Sequence, residues 1–280
     1  MSNKIAYQGE PGANSDIACR EAYPHLIPLP CASFEDAFTA VSNGEATLAM
    51  IPIENSIAGR VADIHHFLPH SGLHVVAEYF LPIHFQLMAP KGATREGLKR
   101  VYSHVHALGQ CRRIVQELHL EAHTAGDTAG AAREIAEWGD PTKAALAPWL
   151  AAEIYGLDVL GEDVEDEEHN TTRFVVLSKT AQWPPLGQAQ TITTFIFRVR
   201  NVPAALYKTL GGFATNGVNM TKLESYMVGG QFFATQFLCD VDGHPEHAGL
   251  RLAFEELGFF SQEIRILGVY PKAATRSSQR

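Results

Sequence analysis

The chain changes its pattern at the stretch QWPPLGQ, residues 182–188. Pro184 and Pro185 have no backbone N–H group to donate to a β-ladder, so the stretch is typical of a connection between domains. We therefore predict a linker at residues 181–190, with a domain of different construction on each side.

The residues after the linker predict four strands and two helices. Pro203 favours the start of a helix, and Gly229-Gly230 between two strand-like runs is a strong hairpin signal. The predicted elements are a strand at 191–199, a helix at 203–215, strands at 218–228 and 231–241, a helix at 245–257 and a strand at 263–270. This order is typical of a ferredoxin-like (βαββαβ) domain over residues 191–270, and we expect the polar residues 271–280 to form a flexible tail.

The residues before the linker alternate between short apolar strands and helices. Ser33 and Asp36 have the spacing of a capping box, which opens a helix that Asn43-Gly44 ends. The other predicted elements are strands at 4–8, 47–53 and 172–177 and helices at 108–118 and 128–137. Such alternation predicts an α/β domain with mostly parallel strands, which we assign to residues 1–180.

Length and composition limit the class of protein. At about 150 residues per domain, 280 residues predict about two domains. The formal net charge of −9 argues against a nucleic-acid partner and against an anionic membrane surface. No apolar run approaches the ~20 residues that span a bilayer, and the first residues lack the apolar core of a signal peptide, so we expect a cytoplasmic protein.

The sequence lacks the common motifs of cofactor sites. Its 13 histidines form no HExxH pair, and neither a nucleotide-binding glycine loop nor GxSxG occurs. The acidic run at 161–168 favours a solvated loop over a cation site. We therefore predict no metal and no organic cofactor.

Small polar residues lie where predicted strands meet predicted helices: Glu54-Asn55-Ser56, Ser103-His104, Asp127-Thr128 and Asn170-Thr171-Thr172-Arg173. Unpaired helix N–H groups at such junctions suit carboxylate ligands, although N-capping is the favoured interpretation for any one of these residues alone. Arg173 lies in a β-run, where its charge must bind an anion or form an internal salt bridge. The residues by themselves predict an anion-binding cleft.

Five motifs occur in a fixed order along the chain: Tyr7-Gln8-Gly9-x-x-Gly12, Pro52-Ile53-Glu54-Asn55-Ser56-x-x-Gly59, Ser103-His104-x-x-Ala107-Leu108-x-Gln110-Cys111, Asp127-Thr128-Ala129-x-Ala131-Ala132 and Asn170-x-Thr172-Arg173-Phe174. Together they resemble the prephenate dehydratase family, carbon–oxygen lyases that form phenylpyruvate in phenylalanine biosynthesis. The resemblance covers essentially the whole chain. It implies a two-lobed catalytic domain like a periplasmic binding protein, with the site in the cleft, followed by an ACT domain.

The resemblance also implies roles for individual residues. The substrate is prephenate, a dianion, and Thr172 is expected to hydrogen-bond to its leaving hydroxyl as a donor or proton relay. Asn55, Ser56 and Arg173 are candidates for holding the carboxylates. Phe174 would pack on the ring or belong to the core. The remaining candidate cleft residues are Ser103, His104 and Thr128.

In the family, the ACT domain binds phenylalanine at a subunit interface, which implies inhibition by L-phenylalanine and a homo-oligomer (dimer or tetramer) formed through ACT domains. The candidate phenylalanine-binding residues here are Ala204, Ala205, Leu206, Asn219, Glu224, Ser225 and Tyr226. Two family patterns are altered: Pro-Gly-Ala-Leu is Pro203-Ala204-Ala205-Leu206, and Glu-Ser-Arg-Pro is Glu224-Ser225-Tyr226-Met227. Catalysis is therefore the firmer expectation and phenylalanine feedback the weaker one.

Two other functions stay open. Arogenate dehydratase performs the same elimination on the amino counterpart of prephenate, and no residue here identifies which substrate is preferred. A non-catalytic amino-acid sensor would also combine a binding cleft with an ACT domain, but the intact Thr172-Arg173-Phe174 motif favours an enzyme.

Overall fold

The computed structural model describes residues 2–61, 64–227 and 234–277. Within these ranges the chain forms two compact units. The first contains Met1–Val61 and Tyr79–Phe174, and the second contains Ala62–Glu78 and Val175–Arg280. The predicted division at residues 181–190 differs from this one, because a segment from the first third of the chain groups with the C-terminal residues.

The strands are β1 (Lys4–Gln8), β2 (Ile27–Cys31), β3 (Leu48–Asn55), β4 (Gly59–Arg60), β5 (His74–Pro82), β6 (Gln86–Ala89), β7 (Arg100–Ser103), β8 (Glu121–Thr124), β9 (Lys143–Ala147), β10 (Asp158–Gly161), β11 (Thr171–Ser178), β12 (Thr191–Val199), β13 (Met220–Met227), β14 (Ala234–Asp242) and β15 (Ser261–Pro271). The α-helices are α1 (Asn14–Ala22), α2 (Phe34–Ser42), α3 (Ile64–Phe67), α4 (Val105–Gln110), α5 (Arg112–Glu117), α6 (Thr128–Trp138), α7 (Trp149–Tyr155), α8 (Ala205–Thr215), α9 (Ala248–Phe260) and α10 (Ala274–Ser277). Short 3₁₀ turns occur at Leu68–His70 and Arg95–Gly97.

One lobe of the first unit is built on a sheet in the order β11-β3-β1-β2, with β1 parallel to both of its neighbours. Helices α1 and α2 connect these parallel strands, as the alternating pattern predicted. The capping box at the start of α2 is confirmed: Ser33 accepts from the backbone of Asp36, and the Asp36 carboxylate accepts from the backbone of Ser33.

The other lobe of the first unit has a five-stranded sheet in the order β10-β6-β9-β7-β8. Its core is rich in alanine, which lets α6 pack closely on the strands; Ala131, Ala145 and Ile135 are almost completely buried there. The lobes approach at Gly12, where an added Cβ would lie 2.8 Å from Ala151 Cα and where φ is +91°. Only glycine fits both conditions, and the two-lobed α/β prediction is confirmed.

The second unit contains the predicted βαββαβ arrangement. Its sheet runs β13-β14-β12-β15, all antiparallel, and an aromatic core that includes Phe195, Phe213 and Phe237 joins the sheet to α8 and α9. The sheet continues into β5 through a parallel pairing of Gly268 with Val75. A Cβ on Gly268 would lie 2.1 Å from Val75 O, so this pairing requires glycine.

Three sequence expectations need comment. The residues predicted as one helix at 108–118 are helical in two pieces, since α4 ends at Gln110 and α5 begins at Arg112, with a break at Cys111. Within the tail expected to be flexible at 271–280, Ala274–Ser277 form α10, and Arg276 Nε lies 2.8 Å from the buried Glu78 carboxylate. The predicted turn at Gly229-Gly230 lies outside the described residues. Among the residues that are described, no helix is long and apolar enough to cross a membrane.

Candidate active site

The ends of β3 and β11 bring Asn55 and Thr172 together. Asn55 donates through Nδ2 to Thr172 Oγ1 at 3.0 Å. Ser56 ties the same two segments, since its backbone N–H donates to Thr171 O at 2.9 Å and its hydroxyl donates to His169 O at 2.8 Å. The motif of the predicted catalytic residue, Thr172, and the motif of the predicted substrate-binding residues Asn55 and Ser56 therefore form one cluster.

The orientation of the Asn55 amide is fixed by the backbone. Asn55 Oδ1 accepts from Ile57 N at 3.0 Å and from Ala58 N at 2.8 Å, so Nδ2 must face Thr172. A hydroxyl that accepts one hydrogen bond still carries a proton of its own. Because Asn55 is the donor in this contact, the proton of Thr172 points elsewhere.

A row of three side-chain amides leads into this cluster. Asn170 Oδ1 accepts from Asn55 Nδ2 at 2.7 Å, and Asn170 Nδ2 donates to Gln110 Oε1 at 2.7 Å. Asn170 is buried, at 3% exposure, so both of its bonds are made away from bulk water. We call Gln110, Asn170 and Asn55 the amide relay.

Arg173 forms an internal salt bridge, which was one of the two possibilities that the sequence left open; the other was binding of an anion. It is 3% exposed, and its Nη1 lies 2.8 Å from Glu54 Oε1. Phe174 is 1% exposed and lies in β11. Of the two roles considered for each residue, the structure provides the salt bridge for Arg173 and a core position for Phe174.

The remaining candidate cleft residues lie at the ends of β7, α4 and α6. Ser103 is fully buried and donates to Leu146 O at 2.5 Å. Asp127 caps α6 by accepting from Gly130 N at 2.6 Å, and Thr128 is the first residue of that helix. His104 is the N-cap of α4, and its burial, together with nearby His106, lowers its pKa.

Gln110, Asn170 and Glu54 received no role from the sequence, although all three stand within the quoted motifs. Their partners are distant in the chain: Arg173 and Glu54, for example, are 119 residues apart. Membership of a motif was the signal that could have marked Gln110, and Glu54 and Asn170 also stand at the predicted strand-to-helix junctions.

The sequence profile of the family described as prephenate dehydratase matches residues 5–182. The chain belongs to the prephenate dehydratase family. A relative from Komagataeibacter europaeus, named bifunctional N-acyl-homoserine lactone acylase/prephenate dehydratase, is 51% identical over 97% of each chain. Arogenate dehydratase/prephenate dehydratase 2 of Arabidopsis thaliana is 34% identical over 97% of this chain and 74% of its own. The crystal structure of prephenate dehydratase from Arthrobacter aurescens in complex with L-Phe matches with a TM-score of 0.88 and 31% identity, over 96% of this chain and 90% of that one.

In this member of the prephenate dehydratase family, the candidate regulatory residues lie at the start of α8 and along β13. Ala204 precedes α8 with a left-handed backbone (φ +61°), and Ala205 and Leu206 begin the helix. Asn219 precedes β13 and donates to Asp242 Oδ2 at 2.8 Å. The other three candidates, Glu224, Ser225 and Tyr226, lie within β13. Burial raises the pKa of Tyr226 to about 12.

One group of side chains has the composition of a metal site. The ligand atoms of His84, Asp163 and Glu165 lie within 4.8 Å of one another. Each carboxylate already accepts hydrogen bonds, Glu165 from His84 and from Phe85 N, and Asp163 from Gln86. These bonds fix the acidic segment to the start of β6.

Proposed function

We propose that the chain catalyses the decarboxylating dehydration of prephenate to phenylpyruvate, with Thr172 donating a hydrogen bond to the leaving hydroxyl. The observation that carries this assignment is the contact from Asn55 Nδ2 to Thr172 Oγ1, at 3.0 Å. It occupies an acceptor site of Thr172 and leaves the hydroxyl proton for the substrate. Membership of the prephenate dehydratase family supports the reaction itself.

The elimination requires the protein mainly to position prephenate and a hydrogen-bond donor for its leaving hydroxyl. The bond from the ring to the carboxylate breaks, its electron pair enters the ring, and the C–O bond to the hydroxyl breaks as the ring becomes aromatic. With one proton taken up, prephenate gives phenylpyruvate, CO₂ and water. Thr172 helps hydroxide to leave, and a positioned donor of this kind contributes about 10²–10⁴-fold.

The candidate substrate-binding residues divide into two groups. Ser56, Ser103 and Arg173 are engaged by His169 O, Leu146 O and Glu54 respectively. We propose that these three hold the site in shape. His104 and Thr128 are partly exposed at helix N-termini, where N–H groups favour anions, and we propose them as the carboxylate contacts.

The test is turnover of the purified chain with prephenate and, in parallel, with arogenate. We expect phenylpyruvate from prephenate, and we expect Thr172→Ala to lower kcat by about 10²-fold or more with its melting temperature unchanged. Thr172→Ser keeps the hydroxyl and is the matched control, which should retain most of the activity. A folded Thr172→Ala enzyme with near-normal turnover would remove Thr172 from this role.

Arogenate is the alternative substrate, because the 34% identical Arabidopsis relative carries both names. Product from arogenate alone would change the substrate but leave the elimination and its residues as described. No product from either compound would favour the amino-acid sensor.

We also propose that L-phenylalanine binds the βαββαβ domain near Ala204, Asn219 and Glu224, as an ACT domain joining subunits of a homo-oligomer. Support comes from the Arthrobacter aurescens enzyme, which is 31% identical and was crystallised with L-Phe. Isothermal titration with L-phenylalanine should show binding, and prephenate turnover should fall in its presence. No binding at millimolar concentration would contradict the proposal.

Hydrolysis of N-acyl-homoserine lactones is a second candidate function, favoured by the 51% identity to the bifunctional relative over 97% of both chains. The assay is release of homoserine lactone by the wild type and by Thr172→Ala. Release by both would place this activity outside the Thr172 cluster, and release by neither would reject it.

A further inference from the structure

The composition of residues 161–168 favoured a solvated acidic loop, and the structure shows that only part of this run is exposed. Glu162, Asp163, Glu167 and Glu168 are exposed, but Glu165 is buried at 8% exposure. We call residues 163–166 the acidic strap, because both of its sides are bonded to other segments of the first unit.

On one side, the acidic strap is bonded to the start of β6. Glu165 Oε2 accepts from Phe85 N at 2.9 Å, and Glu165 Oε1 lies 2.7 Å from His84 Nδ1. Val164 N donates to Phe85 O at 2.9 Å. A buried carboxylate that is hydrogen-bonded both to a histidine and to a backbone N–H resists displacement, so this side of the acidic strap is fixed.

On the other side, Asp166 forms hydrogen bonds with the residues on both sides of the break between α4 and α5. Its two carboxylate oxygens accept from Arg112 N at 2.9 Å and Arg113 N at 3.0 Å, while its own backbone N–H donates to Gln110 O at 2.6 Å. The backbone of Gln110 is therefore held directly by the strap.

Gln110 is also the outer member of the amide relay. Its Oε1 accepts from Asn170, which in turn accepts from Asn55, the donor to Thr172. Asp166 thus bonds to the backbone of Gln110, and hydrogen bonds of 2.7–3.0 Å connect the side chain of Gln110 to the Thr172 hydroxyl.

We propose that Asp166 is a positioning residue for the elimination: its carboxylate fixes the start of α5 at Arg112 and Arg113, next to Gln110, so that the amide relay fixes the Thr172 hydroxyl toward the leaving group. The proposal rests on the function proposed above. Asp166 acts through Gln110 and does not touch the substrate. Displacements of about 1 Å at a reacting group reduce rates by up to about 10²-fold. Loss of the hydrogen bonds from the Asp166 carboxylate should therefore lower kcat rather than raise KM.

A simpler role for Asp166 is to cap α5 and stabilise the fold locally. The two roles differ in what they change. A cap alters the free energy of unfolding, whereas a positioning residue alters kcat in enzyme that remains folded and does so only while Thr172 is present.

The first experiment compares the prephenate kinetics of three variants at a temperature where thermal melts show each to be folded. We expect Asp166→Ala to lower kcat about tenfold with KM changed less than about threefold. Asp166→Asn keeps a side-chain acceptor and should recover part of the loss. Glu167→Ala removes the neighbouring exposed carboxylate and should match the wild type. Asp166→Ala with a kcat within twofold of the wild type would overturn the proposal.

The second experiment combines Asp166→Ala with Thr172→Ala. If Asp166 acts through Thr172, the double variant should be no slower than Thr172→Ala alone, because nothing remains to position. Equal fold-losses in both backgrounds would overturn the proposal and leave the cap as the role of Asp166. If Asp166→Ala does not fold, the same cycle with Asp166→Asn decides between these outcomes.

The experiments distinguish failure of the proposed function from failure of the role proposed for Asp166. A wild type without turnover refutes the function, and a fully active Thr172→Ala variant refutes the assignment of Thr172. Either result overturns the role of Asp166 as well, whereas additivity in the double variant overturns that role alone.

Discussion

Ala204 adopts a left-handed backbone at the residue before α8, with φ of +61°. The conformation costs an L-residue about 1–2 kcal/mol, and glycine escapes most of that cost but loses more chain entropy on folding. We expect Ala204→Gly to raise the free energy of unfolding by about 0.5–1 kcal/mol, measured by urea denaturation.

Ala214 provides the matched control, because it lies in α8 itself. Ala214→Gly should lower the free energy of unfolding by up to about 1 kcal/mol. Opposite signs for the two substitutions are the expected result. A loss of stability in both would mean that the Ala204 backbone is not strained.

The pKa of His104 is lowered from 6.5 by burial and by the nearby His106, with Asp127 opposing the shift. The neutral ring also fits its contact, since His104 Nδ1 accepts from His106 N at 3.3 Å. The folded chain therefore binds fewer protons here than the unfolded chain does at pH values between the two pKa values. The resulting stability is present above pH 6.5 and is lost as the pH falls toward the folded-state pKa.

We expect the free energy of unfolding to fall between about pH 7 and pH 5, and to fall less in His104→Gln, which cannot titrate. Chemical denaturation across this range measures the difference. An NMR titration midpoint for His104 above 6.5 would contradict the prediction.

Helix α2 depends on the reciprocal bonds between Ser33 and Asp36. Ser33→Ala removes an acceptor for one of the first N–H groups of the helix and should cost about 1 kcal/mol of unfolding free energy. Thr39→Ala, on an exposed position of the same helix, should be neutral or slightly stabilising because alanine is the better helix former. Similar losses in the two variants, by urea denaturation, would rule out the cap as the cause.

Elements with local end signals could be predicted from the sequence, and elements defined by distant contacts could not. β1 and β12 lie at their predicted residues, and α2 begins after its predicted cap. The break at Cys111 has no local marker, because Asp166, whose carboxylate binds Arg112 N, lies 54 residues further along the chain.

The same distinction applies to the site. Family motifs placed Asn55 and Thr172 in one cleft, and the structure brings them within 3.0 Å. The motifs alone could not show that Glu54 pairs with Arg173 or that Gln110 reaches Asn170, since both contacts join segments at least 60 residues apart.

Arg276 forms ion pairs with two residues of the second unit that are distant from it in the sequence, Glu78 and Asp240. Arg276 Nε lies 2.8 Å from Glu78 Oε1, and its Nη2 lies 3.4 Å from Asp240 Oδ2. Both carboxylates are at most 2% exposed. Arg276→Ala removes a cation that two buried carboxylates share, so it should lower the free energy of unfolding by about 3–5 kcal/mol.

Arg251 is the control for this prediction. Its ion pair with Glu255 is exposed on α9, with both side chains more than half accessible. Arg251→Ala should cost no more than about 0.5 kcal/mol. If the two variants melt within a degree or two of each other, the buried ion pair does not contribute as described.

The hydrogen bonds of the amide relay also have a direction. A primary amide presents oxygen on one side and nitrogen on the other, so inverting one member would set like groups against each other wherever that member contacts a neighbour in the relay. Asn55 cannot invert, because Ile57 N and Ala58 N occupy its oxygen. The orientations of Asn170 and Gln110 therefore follow from that of Asn55. A carboxylate at Asn55, which has no proton to donate, would invert Asn170 and Gln110 together and reverse the polarity of the whole row.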